Sequence, residues 1–285
     1  MSENLHRAGR DKDALVANLH YLELGCAEVE KSAQFYERAL GYAFSKHGDA
    51  WIGRGPERRL ILLPGDARKL VSSGFAVARD ELEHLRARIR KTGWAALNGP
   101  TRLFSDSVTV RDPDGNCYAF GMPEADEKIA TANPQARMQH VVTSSPNPAA
   151  IVQFLVDILG FTVTDVVVDD QRGMRVTFMR CSNEHHSAAV FRAAESRFDH
   201  HSYEVASWND IRDWADHMAK EHIPLQWGPG RHGPGHNLFM FVHDPDGNWI
   251  EFSADLEIVG EGRPIGEWPH AHRTLNEWGL GRLRS

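Results

Sequence analysis

The chain predicts an α+β fold of four βαβββ units paired into two similar halves, and three observations predict it. The segment Arg111 to Phe120 (RDPDGNCYAF) returns 132 positions later as His243 to Phe252 (HDPDGNWIEF). A second echo pairs Phe35 to Tyr42 (FYERALGY) with Phe154 to Phe161 (FLVDILGF). A third pairs Phe75 to Ala78 (FAVA) with Tyr203 to Ala206 (YEVA), and the order of the echoes is the same in both halves. Ordered self-similarity of this kind marks a duplicated architecture.

Each half opens on a strand, which in the second half carries His140. The Phe35/Phe154 echo follows with helical periodicity and stops at Gly41 or Gly160, where glycine accepts the left-handed backbone of a helix C-cap. Two or three strands come next. The Phe75/Tyr203 echo is a short strand that leads into an amphipathic stretch, Asp80 to Ile89 in one half and Trp208 to Ala219 in the other. DPDGN is a turn: proline fixes one φ, the residues after it tolerate positive φ, and apolar flanks (LFMFV, WIEF) make a hairpin. This divides the chain into an N-terminal segment 1–16, a first half 17–122, a polar linker 123–136, a second half 137–255 and a tail 256–285. Trp268 and Trp278 predict that the tail packs on something, because large aromatics are seldom left wet.

Composition removes several function classes. With 285 residues, 41% hydrophobic and 25% charged, the chain has room for two ordinary globular domains. Its longest apolar runs, such as Leu238 to Val242, are too short to cross a bilayer, and the N-terminus has no apolar signal core, so a cytoplasmic location without a membrane partner is expected. Lys plus Arg number 32 against 39 Asp plus Glu, with no basic block, which argues against a nucleic-acid partner. Cys26, Cys117 and Cys181 lie far apart, so neither a disulfide framework nor a thiolate zinc site is indicated.

Histidine is the unusual residue. Of 16, four precede residue 133 and twelve follow it. The repeat serves as an internal control: residues needed for folding recur in both copies, whereas residues needed for chemistry can survive in one. His140 has a loose counterpart in His20, His200 falls opposite Ser72, and Glu251 falls opposite Ala119. Two imidazoles and one carboxylate in a single half make the ligand set of the facial triad that suits non-haem Fe(II) and leaves one face open.

These residues carry a resemblance. MQHVV (His140), EHHSAAVF (His185, His186), FDHHSYEV (His200, His201) and GRHGPGHNLFMFVHDPDGNWIEFSA (His232 to Ala254) are together similar to the type I extradiol catechol dioxygenases of the vicinal oxygen chelate superfamily, over nearly the whole chain. The separations of 60 positions from His140 to His200 and 51 from His200 to Glu251 resemble those of the family. The resemblance implies the vicinal oxygen chelate fold, with Fe(II), or Mn(II) as in some members, held by His140, His200 and Glu251 in the second half. The first half is then a degenerate copy kept for packing and for assembly into a homo-oligomer. The implied partners are a small aromatic diol and dioxygen.

Other roles follow from the same pattern. His200 is preferred over His201 because the family's ligand stands four positions before a glutamate, here Glu204; His201 is left to the substrate side or pocket rim. His186 matches the family's acid-base histidine, on the strand that ends the third unit, with His185 facing away. His232 matches a catalytic histidine near the substrate oxygens, helped by His236. Ten residues before the glutamate ligand the family commonly has a tyrosine, and here Phe241 stands without the hydroxyl. Phe191, Trp208 and Trp227 are candidates for an apolar slot around the ring. The alternatives are a metal-dependent isomerase or lyase of the same superfamily, and a metal-free ligand-binding member.

Overall fold

The computed structural model of the protein describes residues 14–123 and 135–283. Most of the N-terminal segment 1–16 and of the linker 123–136 therefore lies outside the described residues. The first half runs β1 (Asn18–Cys26), α1 (Val29–Leu40), β2 (Ala43–His47), β3 (Ala50–Gly55), β4 (Arg58–Pro64), β5 (Lys69–Ala76), α2 (Arg79–Thr92), β6 (Ala96–Gly99), β7 (Phe104–Arg111) and β8 (Cys117–Pro123). The second runs β9 (Arg137–Ser145), α3 (Pro148–Gln153), β10 (Thr162–Val168), β11 (Met174–Arg180), β12 (Ala188–Arg192), β13 (Arg197–Glu204), α4 (Trp208–Lys220), β14 (Trp227–Arg231), β15 (Leu238–His243) and β16 (Trp249–Ala254). Both are two consecutive βαβββ units. The tail adds β17 (Gly266–Pro269) and α5 (His272–Leu275).

Local chemistry accounts for these boundaries. In α1 the buried residues Ala33, Tyr36 and Leu40 recur at helical spacing, and the helix stops at Gly41, whose φ is 67°. The matching helix differs: α3 starts on Pro148 and widens into a π-helical turn, Phe154–Leu159, before Gly160 at φ 85°. The wider turn brings Phe154, Leu155 and Leu159 together on the core face, which an α-helix would spread over a broader arc. Both DPDGN segments fold alike. Asp112 Oδ1 accepts from the backbone N–H groups of Asp114 and Asn116, and Asp244 Oδ1 from those of Asp246 and Asn248, with Gly115 and Gly247 at positive φ.

The strands form two mixed sheets, β2-β3-β4-β1-β5-β8-β7-β6 and β14-β15-β16-β13-β9-β12-β11-β10-β17. In each, the first strands of the two units (β1 with β5, β9 with β13) pair antiparallel at the centre. One apolar cluster spans both halves, holding Tyr36, Leu40 and Phe75 of the first and Phe154, Tyr203 and Phe252 of the second. Burying each such side chain is worth roughly 1.5–3 kcal/mol, against about 1 kcal/mol for a typical hydrogen bond, so the shared core outweighs the polar links between halves. Those links still set the alignment: Tyr36 donates to Asp244 Oδ2 at 2.9 Å, the Tyr42 and Tyr203 hydroxyls meet at 2.9 Å, and Arg58 donates to Ala136 O at 2.7 Å. Among the described residues no helix is long and apolar enough to cross a membrane.

Candidate metal centre

Strand register builds the site. In the second sheet His140 of β9 stands opposite Ser202 of β13, and Ser202 stands opposite Glu251 of β16. Residues directly opposite share a face, and residues two apart on a strand do too, so His200 joins this row one pleat along. Ser202, with its small side chain, sits between them. Donor atoms of His140, His200 and Glu251 all lie within 4.8 Å of one another, and all three residues are buried. His140 Nε2 is 3.0 Å from Glu251 Oε2, and His200 Nε2 is 3.4 Å from the same oxygen.

The other ring nitrogens face acceptors: His140 Nδ1 donates to Gln139 Oε1 at 2.5 Å, and His200 Nδ1 donates to Asp199 Oδ1 at 2.6 Å. Each bond assigns the proton to Nδ1 and leaves the Nε2 lone pair for the site. Asn237 Nδ2 donates to Glu251 Oε1 at 3.2 Å and fixes the carboxylate. Burial would raise the Glu251 carboxyl, but the surrounding imidazoles, His140 first, hold it well below the usual range. Burial lowers His140 against the pull of Glu251; at His200 burial works the same way, but Asp199 and Glu251 outweigh it and raise the ring.

A cleft opens over this row, walled by Phe178, Phe191, Trp227 and Phe241 and closed by Leu275 and Arg282 of the tail. Phe241, opposite Glu251 in the β15–β16 ladder, stacks on Trp227 at 5.3 Å between centroids and meets His200 edge-on at 5.4 Å. His232 Nδ1 donates to Leu275 O at 2.6 Å, so its Nε2 turns toward Glu251, 3.6 Å from Oε1. His186 lines the same cleft, its ring 4.3 Å from that of His140. A separate cavity of about 270 Å³ between β10, β11 and the tail, lined by Arg180, Asn183 and Arg263, contains none of the predicted site residues.

Several sequence expectations need correction. His201 is fully buried on the opposite face of β13, stacked on Phe198 and packed near Tyr36 of the first half, because alternation that aims His200 at the site aims its neighbour into the shared core. His236 lies outside the cleft: its left-handed backbone (φ 52°) turns the ring out, 64% exposed, toward Glu277. Trp208 is also outside, packed on Trp278 at the surface. His186 precedes β12 and belongs to the connection 181–187 and not to the strand; His185 is turned from the cleft, its Nδ1 3.0 Å from that of His186. The register partner of His140 in the first half is Tyr21, since Tyr21 stands opposite Gly74 as His140 stands opposite Ser202. The Phe35/Phe154 echo has the same 119-residue offset and carried that signal. Gln139, Asp199, Asn237, Leu275 and Arg282 were missed, as polar or tail residues without a motif of their own.

A family model described as Glyoxalase/Bleomycin resistance protein/Dioxygenase superfamily matches residues 18–120 and 137–252. Metapyrocatechase 2 of Cupriavidus necator is 25% identical over 240 residues, covering 75% of this chain and 73% of its own. An iron-dependent extradiol dioxygenase of Rhodococcus jostii is 24% identical, covering 90% and 97% respectively. A manganese-dependent 2,3-dihydroxybiphenyl 1,2-dioxygenase of Geobacillus genomosp. 3 is 24% identical, covering 86% and 90%. Among solved structures, the substrate complex of homoprotocatechuate 2,3-dioxygenase from Brevibacterium fuscum superposes with a TM-score of 0.82 at 23% identity, covering 95% of this chain and 92% of that one, a likeness of fold.

Proposed function

Because the chain belongs to the Glyoxalase/Bleomycin resistance protein/Dioxygenase superfamily, we propose that it is an extradiol dioxygenase, opening the ring of a catechol-type diol with dioxygen at a mononuclear Fe(II) or Mn(II) centre. The buried row of His140, His200 and Glu251 carries the reading. The donor set fits such a metal: two Nε2 lone pairs turned inward by Gln139 and Asp199, one carboxylate, and no thiolate. The relatives named as iron-dependent and manganese-dependent enzymes support both metals. When bound, the metal supplies a Lewis-acidic centre at which a chelating diol and dioxygen can meet.

The chain's own residues then have distinct tasks. His232 Nε2, its lone pair free because Nδ1 donates to Leu275 O, accepts a proton from a substrate hydroxyl. His186, which burial and then the neighbouring rings of His140 and His185 hold well below the ordinary imidazole value, is a neutral group that takes up a proton released by the diol and passes it on to the reacting oxygen. Phe191, Trp227 and Phe241 exclude water and flank an aromatic ring. We assign the first half a packing and assembly role in a homo-oligomer, and a cytoplasmic home in keeping with three buried free thiols.

The test is anaerobic reconstitution with Fe(II) or Mn(II), followed by oxygen uptake and an absorbance screen of substituted catechols. The expected result is metal-dependent oxygen consumption with a yellow ring-opened product. Metal-loaded protein that consumes no oxygen with any catechol overturns the reading.

A further inference from the structure

The connection 181–187 carries adjacent histidines, of which His186 reaches the cleft and His185 does not. His185 is fully buried behind its neighbour, with the two rings perpendicular at 5.2 Å and Nδ1 facing Nδ1 at 3.0 Å. On its far side His185 Nε2 lies 3.1 Å from Asp165 Oδ2, with the N–H axis off the oxygen, so this contact is electrostatic more than a linear hydrogen bond. Asp165, itself fully buried, accepts from Arg263 Nη1 at 2.5 Å, the Gly266 N–H at 3.1 Å and Trp268 Nε1 at 2.8 Å, all from the tail.

A buried carboxylate with these donors stays ionised, and beside it His185 keeps its proton on Nε2. His185 Nδ1 is then an acceptor. The His186 Nδ1–H donates to it, and the His186 Nε2 lone pair is left toward the cleft. Among the described residues no other side chain hydrogen-bonds the His186 ring, which otherwise packs on His140 and Phe178 at 4.3 and 5.0 Å. The matching connection in the first half is the two-residue turn 56–57, without histidine, so the pair comes with the longer loop.

We propose that His185 is a positioning residue: anchored by Asp165 and the tail's Arg263, it fixes the tautomer and ring orientation of His186 from behind. The claim rests on the dioxygenase reading for its kinetic consequence and on geometry alone for the tautomer. The experiment has two arms. In metal-free protein labelled with ¹⁵N-histidine, long-range ¹H–¹⁵N spectra, assigned with His186→Gln, are expected to report the Nδ1–H form of His186. His185→Phe should lose that preference, and His185→Asn, whose Oδ1 can stand where Nδ1 does, should keep it.

In the metal-loaded enzyme His185→Phe is expected to lower kcat about 10–100-fold, with KM and metal content within about threefold of wild type, and His185→Asn to restore most of the loss. An Nε2–H form of His186 in wild-type protein overturns the proposal even if the phenylalanine variant fails to fold. Unchanged kcat in His185→Phe of an active enzyme also overturns it. A wild-type enzyme that opens no catechol overturns the dioxygenase reading instead, and the spectra then decide the positioning claim by themselves.

Discussion

The same three-strand row exists twice in this molecule and is filled in opposite ways. In the second sheet it reads His140, Ser202, Glu251, with His200 one pleat along; in the first it reads Tyr21, Gly74, Ala119, with Ser72 one pleat along. Tyr21 lies flat over Gly74, so closely that a Cβ there would come within 2.0 Å of the ring. Phe104, Ile52 and Ala119 complete an apolar plug in the space where the second half gathers its imidazoles and carboxylate. The difference teaches that this sheet architecture creates a concave row whichever residues line it, and that it must be filled by packing or by polar groups with partners.

The hardest way to break the comparison is to exchange the contents of the two rows. Glu251→Ala is expected to lose bound metal and, with it, several kcal/mol of transition-state stabilisation, at least about 10³-fold in turnover. The reverse transplant, Tyr21→His with Ser72→His and Ala119→Glu, should add no second metal, because His20 and Val71 stand where Gln139 and Asp199 orient the rings. It should also destabilise the fold by several kcal/mol, since Ala119 is 1% exposed within the plug. Metal analysis and thermal melts decide both; a Glu251→Ala protein with full metal content and turnover would sink the site assignment.

A smaller contrast sits at the end of the same strands. Glu204 occupies the register position that is Ala76 in the first half, and burial lifts its carboxyl to about 7. The folded protein therefore holds this proton more tightly than the unfolded chain, so the contribution is complete below about pH 4.5 and is lost as pH rises through about 7. Glu204→Gln is expected to melt above wild type at pH 8.5, by on the order of 2–3 kcal/mol of stability, and to match it near pH 5. An offset that is the same at both pH values would contradict this account.

The smallest expected effect concerns Phe241. Phe241→Tyr should leave metal content unchanged and alter kcat/KM by less than about tenfold, while reducing the loss caused by His232→Ala. A double-mutant cycle reads the coupling; strictly additive effects would mean that a phenol there takes no share in proton handling.

Much of this was legible before any coordinates. The echoes marked four βαβββ units, and asymmetry between the copies singled out His140, His200 and Glu251 because strand alternation and a shared turn fix where they point. What was not legible depends on backbone detail or on distant chain. His236 sits two residues from a β15 strand end, yet one left-handed residue removes it from the cleft. The doublet His185-His186 could be assigned to opposite faces only by assuming a strand, and the segment is a loop clamped by the tail through the His185 N–H to Glu257 O bond of 2.8 Å. Leu275 and Arg282 reach the cleft from outside the repeat, where no periodicity could have announced them.

The bond from His232 to Leu275 O also sets an order of events during synthesis. All three metal-binding candidates have been made once residue 251 has left the ribosome, but the acceptor that locks His232 arrives 24 residues later. A nascent chain can thus gather these three residues before the His232 ring is set in place, and on the proposed reading a clipped or bulky C-terminal end would leave a protein that holds metal yet handles substrate poorly.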